Sequence, residues 1–135
     1  MKIFLSFLTV LTFTQLLVGC ATSQPAKTLT SLDSGQKVLL TVGQNLVVQL
    51  RSNPTTGYDW NERSVTESVL EKVGEPIFTQ DSAPTGMVGV GGTEIWRFNA
   101  TKVGQQSLIF DYARSWETNV TPAQSVSFYV WVESK

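Results

Sequence analysis

From Gln36 onward the chain alternates apolar and polar residues in short runs, each stopped by glycine, proline, asparagine or aspartate. A period of two places alternate side chains on one face of a strand, and turn residues between such runs end each strand after a few positions. Val38-Leu39-Leu40-Thr41-Val42 stops at Gly43, and Leu46, Val48 and Leu50 then share a face. Tyr58 and Trp60 share the next one, and Glu94, Trp96, Phe98 and Ala100 alternate with Thr93, Ile95, Arg97 and Asn99, which points Trp96 and Phe98 inward. Leu108, Phe110 and Tyr112 follow Gly104, and Val126, Phe128, Val130 and Val132 form the apolar side of the last strand. Only Val65 to Val73 leaves a helical turn open, before Gly74 and Pro76. Six to eight strands without a strong helix predict an all-β domain, a small sandwich or barrel.

Composition bounds what such a domain can do. The 135 residues are 41% hydrophobic, enough for one core and one domain. Ten Lys and Arg against eleven Asp and Glu, with no basic run, argue against nucleic acid, which demands clustered cations. The chain has no histidine, and Cys20 is its one cysteine. His-ligated zinc or haem, Ser-His-Asp triads and Cys-His dyads are therefore excluded, as is an intrachain disulfide. No metal or cofactor is expected.

The first residues read as an address. Lys2 precedes a short apolar run from Ile3 to Leu11, and Ser6, Thr9, Thr12, Thr14 and Gln15 interrupt it. A membrane span takes about 20 predominantly apolar residues, so a signal peptide over residues 1–19 is the better reading. Leu17-Val18-Gly19-Cys20 resembles the bacterial lipoprotein box, which implies cleavage before Cys20 and acylation of its thiol. Gly19-Cys20-Ala21 also has the small-x-small form of an ordinary cleavage site, which would release a soluble protein. By the resemblance to lipoproteins, Ala21 after the cysteine implies sorting to the outer membrane, facing the periplasm or the cell exterior. Residues 20–31 read as a flexible tether and 32–135 as the folded domain.

Three connections carry the functional signal. Asn53-Pro54-Thr55-Thr56-Gly57-Tyr58 is a stiff turn: Asn53 can bond its own backbone, Pro54 fixes φ, and Gly57 can take a positive φ. Its tip presents two small hydroxyl side chains, with Tyr58 and Trp60 directly after. The stretch from Asp81 to Gly92 holds Gly86, Gly89, Gly91 and Gly92 with Pro84, and loops of this length are usually functional or disordered. It is no phosphate cradle, because Glu94 stands where the last glycine of G-x-G-x-x-G belongs and a strand follows instead of a helix. Arg114-Ser115-Trp116-Glu117 then leaves a strand in polar surroundings, and Trp and Arg are the residues most enriched at binding hot spots.

Together, Asn53-Pro54-Thr55-Thr56-Gly57-Tyr58-Asp59-Trp60, Gly89-Val90-Gly91-Gly92 ahead of Trp96, and Arg114-Ser115-Trp116 resemble the three signatures of the chagasin-type inhibitors of cysteine proteases. Ser115 stands where that family usually has proline, which removes a φ constraint and loosens the loop. The resemblance implies an immunoglobulin-like β-sandwich, monomeric and not an enzyme, whose three loops clamp a papain-like protease reversibly and tightly. Thr55 and Thr56 would enter the catalytic cleft, with the glycine-rich loop and the loop of Arg114 and Trp116 on either side. The rival is a lipid-anchored β-sandwich for adhesion or assembly, or a carbohydrate-binding module stacking sugars on Trp116 and Trp131. An enzyme of paired carboxylates among Asp59, Glu94, Asp111 and Glu117 is the remotest reading.

Overall fold

The computed structural model describes residues 24–63 and 67–135. The expected signal peptide, Cys20 and the first residues of the tether lie outside that range. Nine strands form two sheets: β1 Lys27–Thr30, β2 Lys37–Thr41, β3 Asn45–Ser52, β4 Tyr58–Glu62, β5 Leu70–Lys72, β6 Ile77–Gln80, β7 Gly92–Ala100, β8 Gly104–Arg114 and β9 Gln124–Glu133. One sheet runs β1-β3-β7, with the short β5 and β6 both on the outer edge of β7; the other runs β2-β9-β8-β4.

The period-2 reading predicts the packing. Leu46, Val48 and Leu50 of β3, Trp96 and Phe98 of β7, Leu108 and Phe110 of β8, and Val126, Phe128, Val130 and Val132 of β9 are all buried between the sheets. Phe110 sits at the centre, edge-on to Trp96, Phe98 and Phe128 with ring centroids 5.1, 6.3 and 6.5 Å away. Each buried ring contributes about 1.5–3 kcal/mol by leaving water, so this layer fixes how the sheets stack.

Two boundaries differ from expectation. The tether does not extend to residue 31, because Lys27–Thr30 pairs parallel with β3 and Leu29 is buried. Leu29 supplies the apolar contact, and the open edge of β3 supplies backbone partners that a run of Thr and Ser could not foretell. Between Ser68 and Val73 the chain is extended, not helical: the Gln106 side-chain carbonyl accepts from the Val69 and Leu70 N–H groups and β5 pairs with β7. These short edge strands bring the count to nine.

Register defines two poles. In the β3–β7 pairing Ser52 faces Gly92 at one end and Asn45 faces Asn99 at the other. The β8–β9 pairing sets Tyr112 against Gln124 at the first pole and Gly104 against Val132 at the second. Residues 53–57, 81–91 and 115–123 all connect strands at the first pole. Both ends of the described chain leave at the second, where Gln44 donates to the Pro25 carbonyl at 3.0 Å.

Candidate functional site

The first loop is a single 3₁₀ turn over Pro54–Thr56, closed by Gly57 at φ 78°. Thr56 N–H donates to the Asn53 carbonyl at 3.1 Å and Gly57 N–H to that of Pro54 at 2.9 Å. Both hydroxyls turn back on the same residue: Thr55 Oγ1 donates to Asn53 Oδ1 at 2.6 Å and Thr56 Oγ1 to the Asn53 carbonyl at 2.7 Å. The exposed tip is thus stiffened from within.

The third loop leans on the first. Arg114, opposite Tyr58 in the β4–β8 register, stacks its guanidinium 4.4 Å over the Tyr58 ring. Its Nε donates to the Thr56 carbonyl at 3.3 Å and its Nη1 to Glu117 Oε1 at 3.2 Å. Arg114, expected at the rim, also braces the first loop from within, because an aromatic face, a carbonyl and a carboxylate converge on its cation. Trp116 is 66% exposed, yet its indole lies so close over Gly57 that an added Cβ there would collide with it. Gly57 thus supplies the left-handed turn and the room for the ring. Ser115 leaves this arrangement intact.

The glycine-rich loop is held at its root. Asp81 N–H donates to the Gly91 carbonyl at 3.0 Å, so residues 82–90 form the projecting part. Asn53 Nδ2 reaches across to the Gly89 carbonyl at 3.1 Å, joining the first loop to the second. A Cβ on Gly89 would stand 3.9 Å from Thr55 Oγ1, so this glycine flanks the tip. Val90 and Gly91 are half-buried at the stem. Gly92 belongs to β7 and not to the loop; a side chain there would run into the Thr79 carbonyl and the Phe78 ring. Sequence reasoning passed over Met87 and Val88, which form the loop's apolar tip, with Val88 91% exposed. The available signal was their standing as the large apolar residues midway in a glycine-rich stretch.

Aromatic side chains support the first loop from below. Tyr112 stacks on Tyr58 at 5.3 Å and packs against Trp60 at 4.9 Å, while its hydroxyl accepts from Asn53 N–H at 2.9 Å. Trp60 is buried and donates Nε1–H to the Arg51 carbonyl at 2.9 Å. Trp60 and Trp96 are core, as their strand positions predict; Tyr58 is half-buried between Tyr112 and Arg114.

Two of the four loop-end carboxylates are taken up by arginines. Asp111 is held by Arg63 at 2.6 Å, which together with Ser125 keeps its carboxyl below the usual range. Glu117 pairs with Arg114, and Asp59 points to solvent. Glu94 is 7% exposed beneath the loops. Burial pushes its carboxyl above the usual range, and the nearby Asp59 charge adds to that. The Trp60 backbone, Ser52 and Trp96 pull the other way, although Ser52 Oγ and Trp96 Nε1 close no hydrogen bond among the described residues.

Comparison with known proteins places this arrangement. The family model described as chagasin family peptidase inhibitor I42 matches residues 40–130. Amoebiasin-2 of Entamoeba histolytica is 31% identical over 62% of this chain and 66% of its own length, so the chain spans just under two thirds of that relative. Chagasin of Trypanosoma cruzi is 30% identical over 64% of this chain and 80% of its own. Among solved structures, a cysteine protease inhibitor from Entamoeba histolytica superposes with a TM-score of 0.71 at 26% identity, covering 80% of this chain and 96% of that one.

Proposed function

Because the chain belongs to the chagasin family of peptidase inhibitors, we propose that it is a reversible, tight-binding inhibitor of papain-like cysteine proteases that fills the catalytic cleft without being turned over. The observation that carries this is the convergence of three loops at one pole, with the 3₁₀ tip of residues 54–56 braced from both sides. A protease aligns an extended strand for attack; a compact turn closed by Gly57 offers its thiolate no carbonyl in that register. Thr55 and Thr56 are small enough to let backbone approach the cleft floor. Trp116 and the Met87-Val88 tip then supply apolar contact on opposite sides, and truncating such anchors costs roughly 2 kcal/mol or more. The first loop is already ordered, so seating its tip loses little further conformational freedom.

The glycan reading finds less support. Trp131 carries the Lys37 ammonium 3.5 Å from its ring centre, and Trp116 rests on Gly57, so neither ring is a bare platform. Attachment through Cys20 suits the geometry, because the described chain starts at the pole opposite the loops. An acylated Cys20 would hold the domain at an outer membrane with its inhibitory end pointing away.

Titration of papain with the purified chain tests the proposal: activity falls to near zero at about one equivalent, and a covalently blocked papain no longer binds. In fractionated cells the inhibition follows the membranes, and Cys20→Ser abolishes incorporation of labelled fatty acid into the chain. Undiminished papain activity at excess chain would reject the reading.

A further inference from the structure

One ion pair at the loop pole lies behind the tips. Arg51, the last outward-facing residue of β3, donates from Nη1 to Asp81 Oδ1 at 2.9 Å and from Nη2 to Asp81 Oδ2 at 2.6 Å. This is a bidentate fork, the most directional pairing available to a carboxylate. Asp81 is the first residue of the glycine-rich loop, and its N–H closes that loop on Gly91. A Cβ on Gly91 would stand 3.8 Å from Arg51 Nη2, so the guanidinium lies across both limbs of the stem. The Arg51 carbonyl in turn accepts from the buried Trp60 indole. A continuous path therefore runs from the core through Arg51 to Asp81. Among the described residues, the one side-chain hydrogen bond reaching residues 82–90 comes from Asn53. The loop carries Gly86 and Gly89 at positive φ and exposes Met87 and Val88 to water. A segment so built loses considerable conformational freedom when it is fixed against a partner.

We infer that Arg51 and Asp81 are positioning residues for inhibition: their fork holds the glycine-rich arm in its protease-binding pose, so that affinity depends on a pair acting through the loop and not through contact with the enzyme. This rests on the inhibitor reading above. The fork is solvent-exposed, with side-chain accessibilities of 65% and 45%, so its effect is modest. Arg51 holds the Asp81 carboxyl below its ordinary range, which keeps the fork charged in mildly acidic assay buffers.

The test compares Arg51→Ala, Asp81→Ala, the double alanine variant and the reversed pair Arg51→Asp with Asp81→Arg, each as the full chain titrated against papain. Either single alanine variant is expected to raise the inhibition constant about two- to fivefold, the range of an exposed pair. The double variant should be no worse than either, and the reversed pair should recover most of the loss. Amide exchange in the free chain should accelerate at Met87 to Val90 in both single variants while the β7 and β8 amides stay protected. If Arg51→Ala weakens inhibition and Asp81→Ala does not, Arg51 touches the protease itself and the inference fails. Single variants that inhibit like the parent also overturn it. A parent chain that leaves papain active fails before any variant is compared, and that result removes the inhibitor reading together with this one.

Discussion

The first and second loops sit side by side yet are ordered by different means. Residues 53–57 form one tight turn whose hydroxyls and backbone bond inward, with Arg114 and Trp116 on one flank and Tyr112 below. Residues 82–90 project with little of their own structure and are fastened at the stem by Asp81 and at one carbonyl by Asn53. A rigid insert suits a narrow groove of fixed chemistry. A longer, looser arm with an apolar tip suits the outer walls of a groove, where a small displacement can still be absorbed. On the proposed reading, rigidity is thus concentrated in the loop that would face the protease thiolate.

Three substitutions probe that contrast. Thr56→Arg acts at the rigid tip, where a long cation cannot enter the groove, and should raise the inhibition constant by roughly 30-fold or more. Its melting temperature should fall by only a few degrees at most (about 1 kcal/mol), since Thr56 is exposed and gives up one surface hydrogen bond; equal inhibition by this variant would refute the insert model. Gly57→Ala would make the first loop more like the second. The residue sits at φ 78° beneath Trp116, so a methyl group costs about 1–2 kcal/mol in backbone strain and displaces the indole. We expect inhibition to fall roughly tenfold, mainly through faster dissociation measured on immobilised papain.

Glu94→Gln, beneath both loops, should have the smallest effect and one that depends on pH. Burial raises the folded-state pKa of Glu94 above its unfolded value. The stability it contributes is therefore complete below the unfolded pKa and is lost as pH rises through the folded one. Melts of the glutamine variant should gain on the parent as pH rises from about 4 to about 8. A gap that stays constant across that range would mean Glu94 is not strained by ionisation in the fold.

The strands and their inward faces were legible because a period of two is a local property: Leu46, Val48 and Leu50, or Phe128, Val130 and Val132, announce a buried face wherever the strand is placed. The stiff turn at Pro54 and Gly57 was legible for the same reason, since φ preferences belong to single residues. The edge strands were not. Lys27–Thr30 and Leu70–Lys72 carry weak patterns of their own and become strands because β3 and β7 offer free backbone groups beside them. Glu94 was read on the correct face, but that Arg63 and Arg114 take Asp111 and Glu117 was not legible, because those partners meet only in the folded chain.

Short-range periodicity and turn chemistry thus prescribed an all-β chain with a hard, small-tipped loop, since both act between residues a few positions apart. Assembly of the site depended on pairs distant along the chain: Arg114 with the Thr56 carbonyl, Asn53 with Gly89, Arg51 with Asp81. Sheet register brought those groups within bonding distance, and register follows from packing the whole core around Phe110. That is why the bracing of the first loop by Arg114 emerged only once the sandwich closed.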